Sequence, residues 1–145
     1  MAIHLANTPN EMIDLITRRS ITASPFTDWL GVDLVAAWGG TAELRFTPRP
    51  EALQHRGTIH GGVLTGLIDN LGGWAATTEI GPVVTTSVTA HFHRPATTAV
   101  RGAASVQHHT RRTAVVIATI HDVNEFLIAT GLVTAVALDD RTVLP

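Results

Sequence analysis

A glycine turn, His60-Gly61-Gly62, runs straight into an apolar segment whose only carboxylate before Glu79 is Asp69, eight residues after Gly61. At the start of a helix the first backbone N–H groups have no partner within the helix and bind an oxygen that is gaining negative charge. A carboxylate set among apolar side chains is a candidate base or nucleophile. Together the two groups suit attack on an activated acyl carbon. Such a site needs no metal, no thiolate and no serine triad.

The element that must position them is a helix. Val63, Leu64, Leu67, Ile68, Leu71, Trp74 and Ala75 recur at intervals of three and four and make one apolar stripe. Gly66, Gly72 and Gly73 each weaken a helix by about 1 kcal/mol relative to alanine, so this one must be wrapped by other structure. Packing accounts for such glycines, but not for Asp69, since aspartate is almost never fully buried without a partner. Over eight residues the helix advances roughly 12 Å, whereas an oxyanion donor and a base working on one carbonyl each lie within about 3 Å of the reacting atoms. One chain therefore cannot easily supply both groups to one carbonyl. Two antiparallel helices related by a two-fold axis can, pairing Gly61 of one chain with Asp69 of the other in two equivalent sites.

Composition narrows the classes. The chain has 145 residues, enough for one domain with its own core, and is 45% hydrophobic but only 15% charged. So little charge leaves much of the surface for burial between subunits. A net charge of −2 argues against a general nucleic-acid surface. There is no cysteine, which removes disulfides, thiolate catalysis and cysteine-ligated zinc, and no lysine, which removes Schiff-base chemistry. No apolar run reaches the length of a membrane span and the N-terminus lacks the pattern of a signal peptide, so a cytoplasmic protein with no membrane partner is expected.

Along the chain, Thr8-Pro9-Asn10-Glu11 reads as an N-cap, a first-turn proline and a capping-box glutamate, opening a short helix over about residues 9–19. Ser24-Pro25 opens a second, very short one with Phe26, Trp29 and Leu30. Residues 32–46 suit two strands meeting at Gly39-Gly40. From residue 84, Val84, Thr86, Val88, Ala90 and Phe92 alternate with Thr85, Ser87, Thr89, His91 and His93, as in a half-buried strand with one mostly apolar face. Strands near 99–109, 112–122 and 126–138 follow. One buried helix and consecutive antiparallel strands make an α+β domain.

These residues carry a family resemblance. Leu30-Gly31-Val32, Pro48-Arg49-Pro50-Glu51, the block from Gln54 to Asp69, Phe92-His93-Arg94-Pro95-Ala96 and Arg111-Arg112-Thr113-Ala114 resemble hotdog-fold acyl-CoA thioesterases of the phenylacetyl-CoA and 4-hydroxybenzoyl-CoA group, over about residues 25–138. The resemblance implies a helical extension over 1–24 and a hotdog domain over 25–140, with an antiparallel sheet of about six strands wrapped around the long helix. It implies an acyl-CoA substrate, no cofactor, and a homodimer or homotetramer. The amide of Gly61 would polarise the thioester carbonyl, with Gly62 beside it in the substrate site. Asp69 would act across the dimer as nucleophile or base, and Gln54 would contact the thioester or the water. A hydroxyl from the following strand would hold water or the leaving group; Thr85 matches best, and Ser87, on the same face by strict alternation, is the alternative.

Each assignment has a structural competitor. Gln54 can cap loop backbone. His60 is read as shaping the turn rather than as a base. Gly72 and Gly73, three and four residues after Asp69, leave room either for an acyl group, with Gly73 as the substrate-side residue, or for a closely packed strand. Arg94, Arg111 and Arg112 can grip coenzyme A phosphates or be solvated charges at strand ends. His91 with His93, and His108 with His109, lack the three or four ligands of a metal site, so no metal is expected. The rival functions are a hotdog hydratase or dehydratase, whose catalytic histidine and carboxylate have other spacings, and a non-catalytic acyl-CoA-binding protein.

Overall fold

The computed structural model describes residues 5–139. Helix α1 spans Pro9–Ile16. The Thr8 hydroxyl accepts from the Glu11 amide at 3.2 Å, while the Glu11 carboxylate reaches one residue further back, to the Asn7 amide at 2.7 Å. The expected helix over 9–19 is thus α-helical only to Ile16; Thr17–Thr22 continues as a π-helical stretch. Helix α2, Pro25–Leu30, ends at Gly31 in the left-handed region, φ 72°. Strands β1, Asp33–Trp38, and β2, Thr41–Phe46, form a hairpin through Gly39 and Gly40, both at positive φ. The long helix α3, Gly61–Ile80, follows, and then β3 Val83–Phe92, β4 Val100–His109, β5 Thr113–Asp122 and β6 Leu127–Ala137.

All pairings are antiparallel, in the order β1-β2-β4-β5-β6-β3, so α3 connects β2 to a strand at the opposite edge of the sheet. The six strands curl around α3, which buries Leu64, Leu67, Ile68, Leu71, Trp74 and Ile80 against Leu44, Phe46, Val116, Ile120, Ile128 and Val133. This is the hotdog fold. Glycines set the distance between the layers. A Cβ on Gly131 would sit 2.2 Å from Ile68, one on Gly102 2.6 Å from Leu71, and one on Gly72 2.5 Å from Val133. The sheet and helix therefore approach more closely than side chains on both would allow.

One stripe of α3 escapes the sheet. Gly62 is exposed, and Thr65, Gly66, Asp69, Gly73 and Thr77 are half-buried, recurring at the helical period. Asp69 lies in the middle of that stripe, about two turns from either end.

Candidate active site

The loop before α3 is built to present the helix start. Gln54 and Thr58 close it, the Gln54 amide donating to the Thr58 carbonyl at 2.8 Å, with Gly57 at φ 79° inside the turn. His60 is the N-cap: its Nδ1 accepts from the Gly62 amide at 2.8 Å, and its carbonyl accepts from Val63 and Leu64. The Gly62 amide is thereby occupied. Among the described residues nothing accepts from the Gly61 amide, which is left as the free donor of the first turn.

That turn opens on a cleft of about 290 Å³ whose walls include Gln54, Thr58, Gly61, Leu64, Phe92 and Arg94. The Gln54 side chain is used by its own loop at both ends, Nε2 donating to Thr58 Oγ1 at 2.5 Å and Oε1 accepting from the Arg56 amide at 2.6 Å. Its second N–H remains for the cleft, since a primary amide carries two donors. Arg94 lies with its guanidinium 4.0 Å from the centroid of the Phe126 ring. Phe92 covers the turn from the strand side: a Cβ on Gly61 would meet its ring at 3.2 Å. Sequence reading placed Phe92 on the buried apolar face; it is 53% exposed, because the residue of α3 against its ring is Gly61, which has no side chain to cover it. Its position just before His93-Arg94-Pro95 was the available sign that it belongs to the strand mouth.

Asp69 lies outside this cleft. Its Oδ1 accepts from the Thr85 hydroxyl at 2.7 Å, and both residues are half-buried. Strict alternation would put Ser87 on the same face as Thr85. A bulge corrects this. Thr85 pairs with Ala135 and Ser87 with Thr134, so β3 carries one residue more than β6 between them. The phase flips there: Thr85 shares the helix side with Val88 and Ala90, whereas Ser87 is exposed on the far side and Val84, grouped by alternation with Val88, is 46% exposed. Only Thr85 reaches Asp69.

The two small residues after Asp69 also separate. Gly72 is closed by Val133, while a Cβ on Gly73 would meet nothing within 4 Å. The space beside the carboxylate is at Gly73 alone.

Arg111 and Arg112 are not with Arg94. They sit in the β4–β5 turn, exposed, at the end of the sheet where His109 approaches Glu79 in the last turn of α3 at 3.4 Å. A 20-residue helix is roughly 30 Å long, and its length lies between these arginines and the Gly61 cleft. Among the described residues no three histidines, carboxylates or cysteines cluster as a metal site. No helix there is long and apolar enough to cross a membrane.

A sequence model of the thioesterase superfamily matches residues 56–128, which run from the glycine turn through β6's first residues and span half of the chain. The chain belongs to the thioesterase superfamily. It is 30% identical to a conserved protein of Pseudomonas aeruginosa of solved structure, over 79% of this chain and 94% of that one, with a TM-score of 0.75. A variant of the phenylacetic acid degradation protein PaaI from Thermus thermophilus is 29% identical over 79% of this chain and 100% of its own, TM-score 0.74. The PaaI protein from the phenylacetic acid degradation operon of E. coli has the same fold, with a TM-score of 0.82 at 19% identity over 91% of this chain and 97% of its own. No curated protein matches the sequence.

Proposed function

We infer that the protein is an acyl-CoA thioesterase, a cytoplasmic homodimer or homotetramer whose active site is shared between two subunits. The observation that carries this reading is the pairing of a free helix-start amide, Gly61, with a hydroxyl-held carboxylate, Asp69, on one helix but in separate places. Roughly 12 Å of helix axis divides them, too far for one carbonyl. Among the described residues strand β3 is an edge strand with no neighbour along one side, and it is also the strand that holds Asp69 through Thr85. Pairing this edge with its copy about a two-fold axis covers an otherwise open edge and sets two α3 helices antiparallel.

In the shared site the thioester carbonyl oxygen accepts from the Gly61 amide. Asp69 of the partner subunit takes a proton from water as the water oxygen bonds to the carbonyl carbon. The oxyanion so formed stays on the Gly61 N–H; it collapses, the carbon–sulfur bond breaks, and the proton passes to the coenzyme A sulfur. Free acid and thiol leave. Little more is required, because a thioester carbonyl is already electrophilic and a thiolate is a good leaving group. General base action contributes about 10²–10⁴ in rate and one oxyanion donor roughly 3–4 kcal/mol. The Thr85 hydroxyl, by donating to Oδ1, fixes which carboxylate oxygen remains for the proton.

A panel of acyl-CoAs with a thiol-trapping dye tests the reading. Stoichiometric thiol release with the free acid is the expected result. A change in enoyl absorbance without thiol would make the protein a hydratase, and tight binding without either signal would make it a binding protein.

A further inference from the structure

We propose that the substrate's acyl chain runs from Asp69 past Gly73 into an apolar pocket closed by the N-terminal helical extension, whose side chains gauge acyl length. This rests on the thioesterase reading and extends it to a part of the chain that the chemistry does not use.

Three observations converge. The first is the gap at Gly73, one helical turn beyond Asp69 on the same stripe. It is not loose packing in general, because Gly72, one residue away, is in tight contact with Val133. The second is where the next positions lead. One more turn along α3 is Thr77, and two residues back along β3 from Thr85, on the same side, is Val83. Both line a cavity of about 260 Å³. Helix residues Asp69, Gly73 and Thr77 and strand residues Thr85 and Val83 thus bound one groove with a cavity at its end. The Thr77 hydroxyl donates to the Gly73 carbonyl at 2.8 Å, so its polar atom is taken up by the helix backbone.

The third observation is the far wall. Leu5, Leu15 and Ile16 come from the N-terminal segment and α1, and among the described residues Arg19, in the π-helical stretch, is the one charged residue lining the pocket, with Ser20 beside it. A lining in which Leu5, Leu15, Ile16, Pro82, Val83 and Leu138 outnumber the polar residues suits an aliphatic tail. Its volume falls below the about 300–1,000 Å³ of pockets that hold a whole small ligand, as expected for a site that takes only the end of one. From Asp69 to Thr77 the helix advances roughly 12 Å. Short acyl groups therefore end beside Gly73, and only longer chains reach Leu15. Each methylene buried there favours the longer substrate by about fourfold.

The test compares kcat/KM for dodecanoyl-CoA with that for butanoyl-CoA. In Leu15→Trp, which fills the pocket, the dodecanoyl-to-butanoyl ratio is expected to fall tenfold or more; an unchanged ratio in a variant with native circular dichroism and melting would overturn the proposal. Because that variant can fail to fold, the wild type supplies a second measurement. A dodecyl thioether of coenzyme A bearing a diazirine at its chain end should label residues between 5 and 19, and a butyl thioether residues near Gly73. Labelling of α2 or the outer sheet face by the long probe would overturn the assignment. If the wild type releases thiol from no acyl-CoA, the thioesterase reading falls, and the thioether labelling alone then decides the pocket.

Discussion

The first turn of α3 and its middle carry the two halves of the candidate chemistry in different materials. At the first turn the working group is backbone: the Gly61 amide, held by the His60 cap and roofed by Phe92. In the middle it is a side chain, Asp69, held by another side chain, Thr85, across a helix–strand contact. A backbone donor is positioned by local chain geometry and survives most substitutions. A carboxylate on an uncovered stripe depends on its partner strand for orientation. Neither half is complete, and the helix that joins them also keeps them apart. On the proposed mechanism, an element that fixes two groups rigidly on one chain makes the second copy part of the site.

The largest expected effect comes from breaking one half and restoring it from another chain. Asp69→Asn keeps the side-chain shape but removes the basic oxygen, and kcat should fall by about 10²–10⁴ with the melting temperature little changed. Gly61→Val crowds Phe92 and the cleft and should inactivate the other half. Mixed and refolded together, the two inactive proteins should regain about a quarter of wild-type activity, since half of the random dimers are mixed and each has one intact site. No recovery would place both groups in one subunit's site and sink the shared-site mechanism.

Next in size is the contrast between neighbouring glycines. Gly72→Ala pushes a methyl into Val133 and should cost about 1–3 kcal/mol in urea unfolding. Gly73→Ala enters open space and should leave stability unchanged or slightly raised, since alanine is the better helix former by about 1 kcal/mol. Equal destabilisation would mean that the groove beside Asp69 is filled in solution.

A smaller effect separates the two hydroxyls. Thr85→Val removes a hydrogen bond to a charged group, normally about 1.5–3 kcal/mol, so kcat should drop on the order of tenfold or more, with recovery in Thr85→Ser. Ser87→Ala should do nothing to kcat. The reverse order would place the bulge elsewhere.

The smallest effect is expected of the arginines. Replacing Arg94 by alanine, or Arg111 and Arg112 together, should raise KM for acyl-CoA a few-fold more than it lowers kcat, because phosphate contacts remote from the carbonyl act as uniform binding. The two sets lie at opposite ends of α3, so they test the two-fold arrangement as well. If only one set alters KM and its salt dependence, the other is merely solvated.

Much of this protein was legible in its residues. The Gly61-to-Asp69 separation follows from helical rise alone, and the helix itself from the three-and-four spacing of Val63 through Ala75. Gly39-Gly40 joins two strands where the structure has them, because glycine acts on its own backbone. Other features depended on residues far apart in the chain. The bulge that gives Asp69 to Thr85 rather than Ser87 exists only in the register of β3 on β6, some fifty positions later, and alternation along one strand carries no trace of it. Gly72 and Gly73 are chemically identical, and what divides them is Val133 over one and nothing over the other. Arg94 and the Arg111-Arg112 pair look alike in sequence but stand at opposite ends of a 20-residue helix. Local geometry is written in neighbouring residues, whereas register and close approach arise only when distant segments meet, and here they decide which hydroxyl holds the carboxylate and where the space beside it lies.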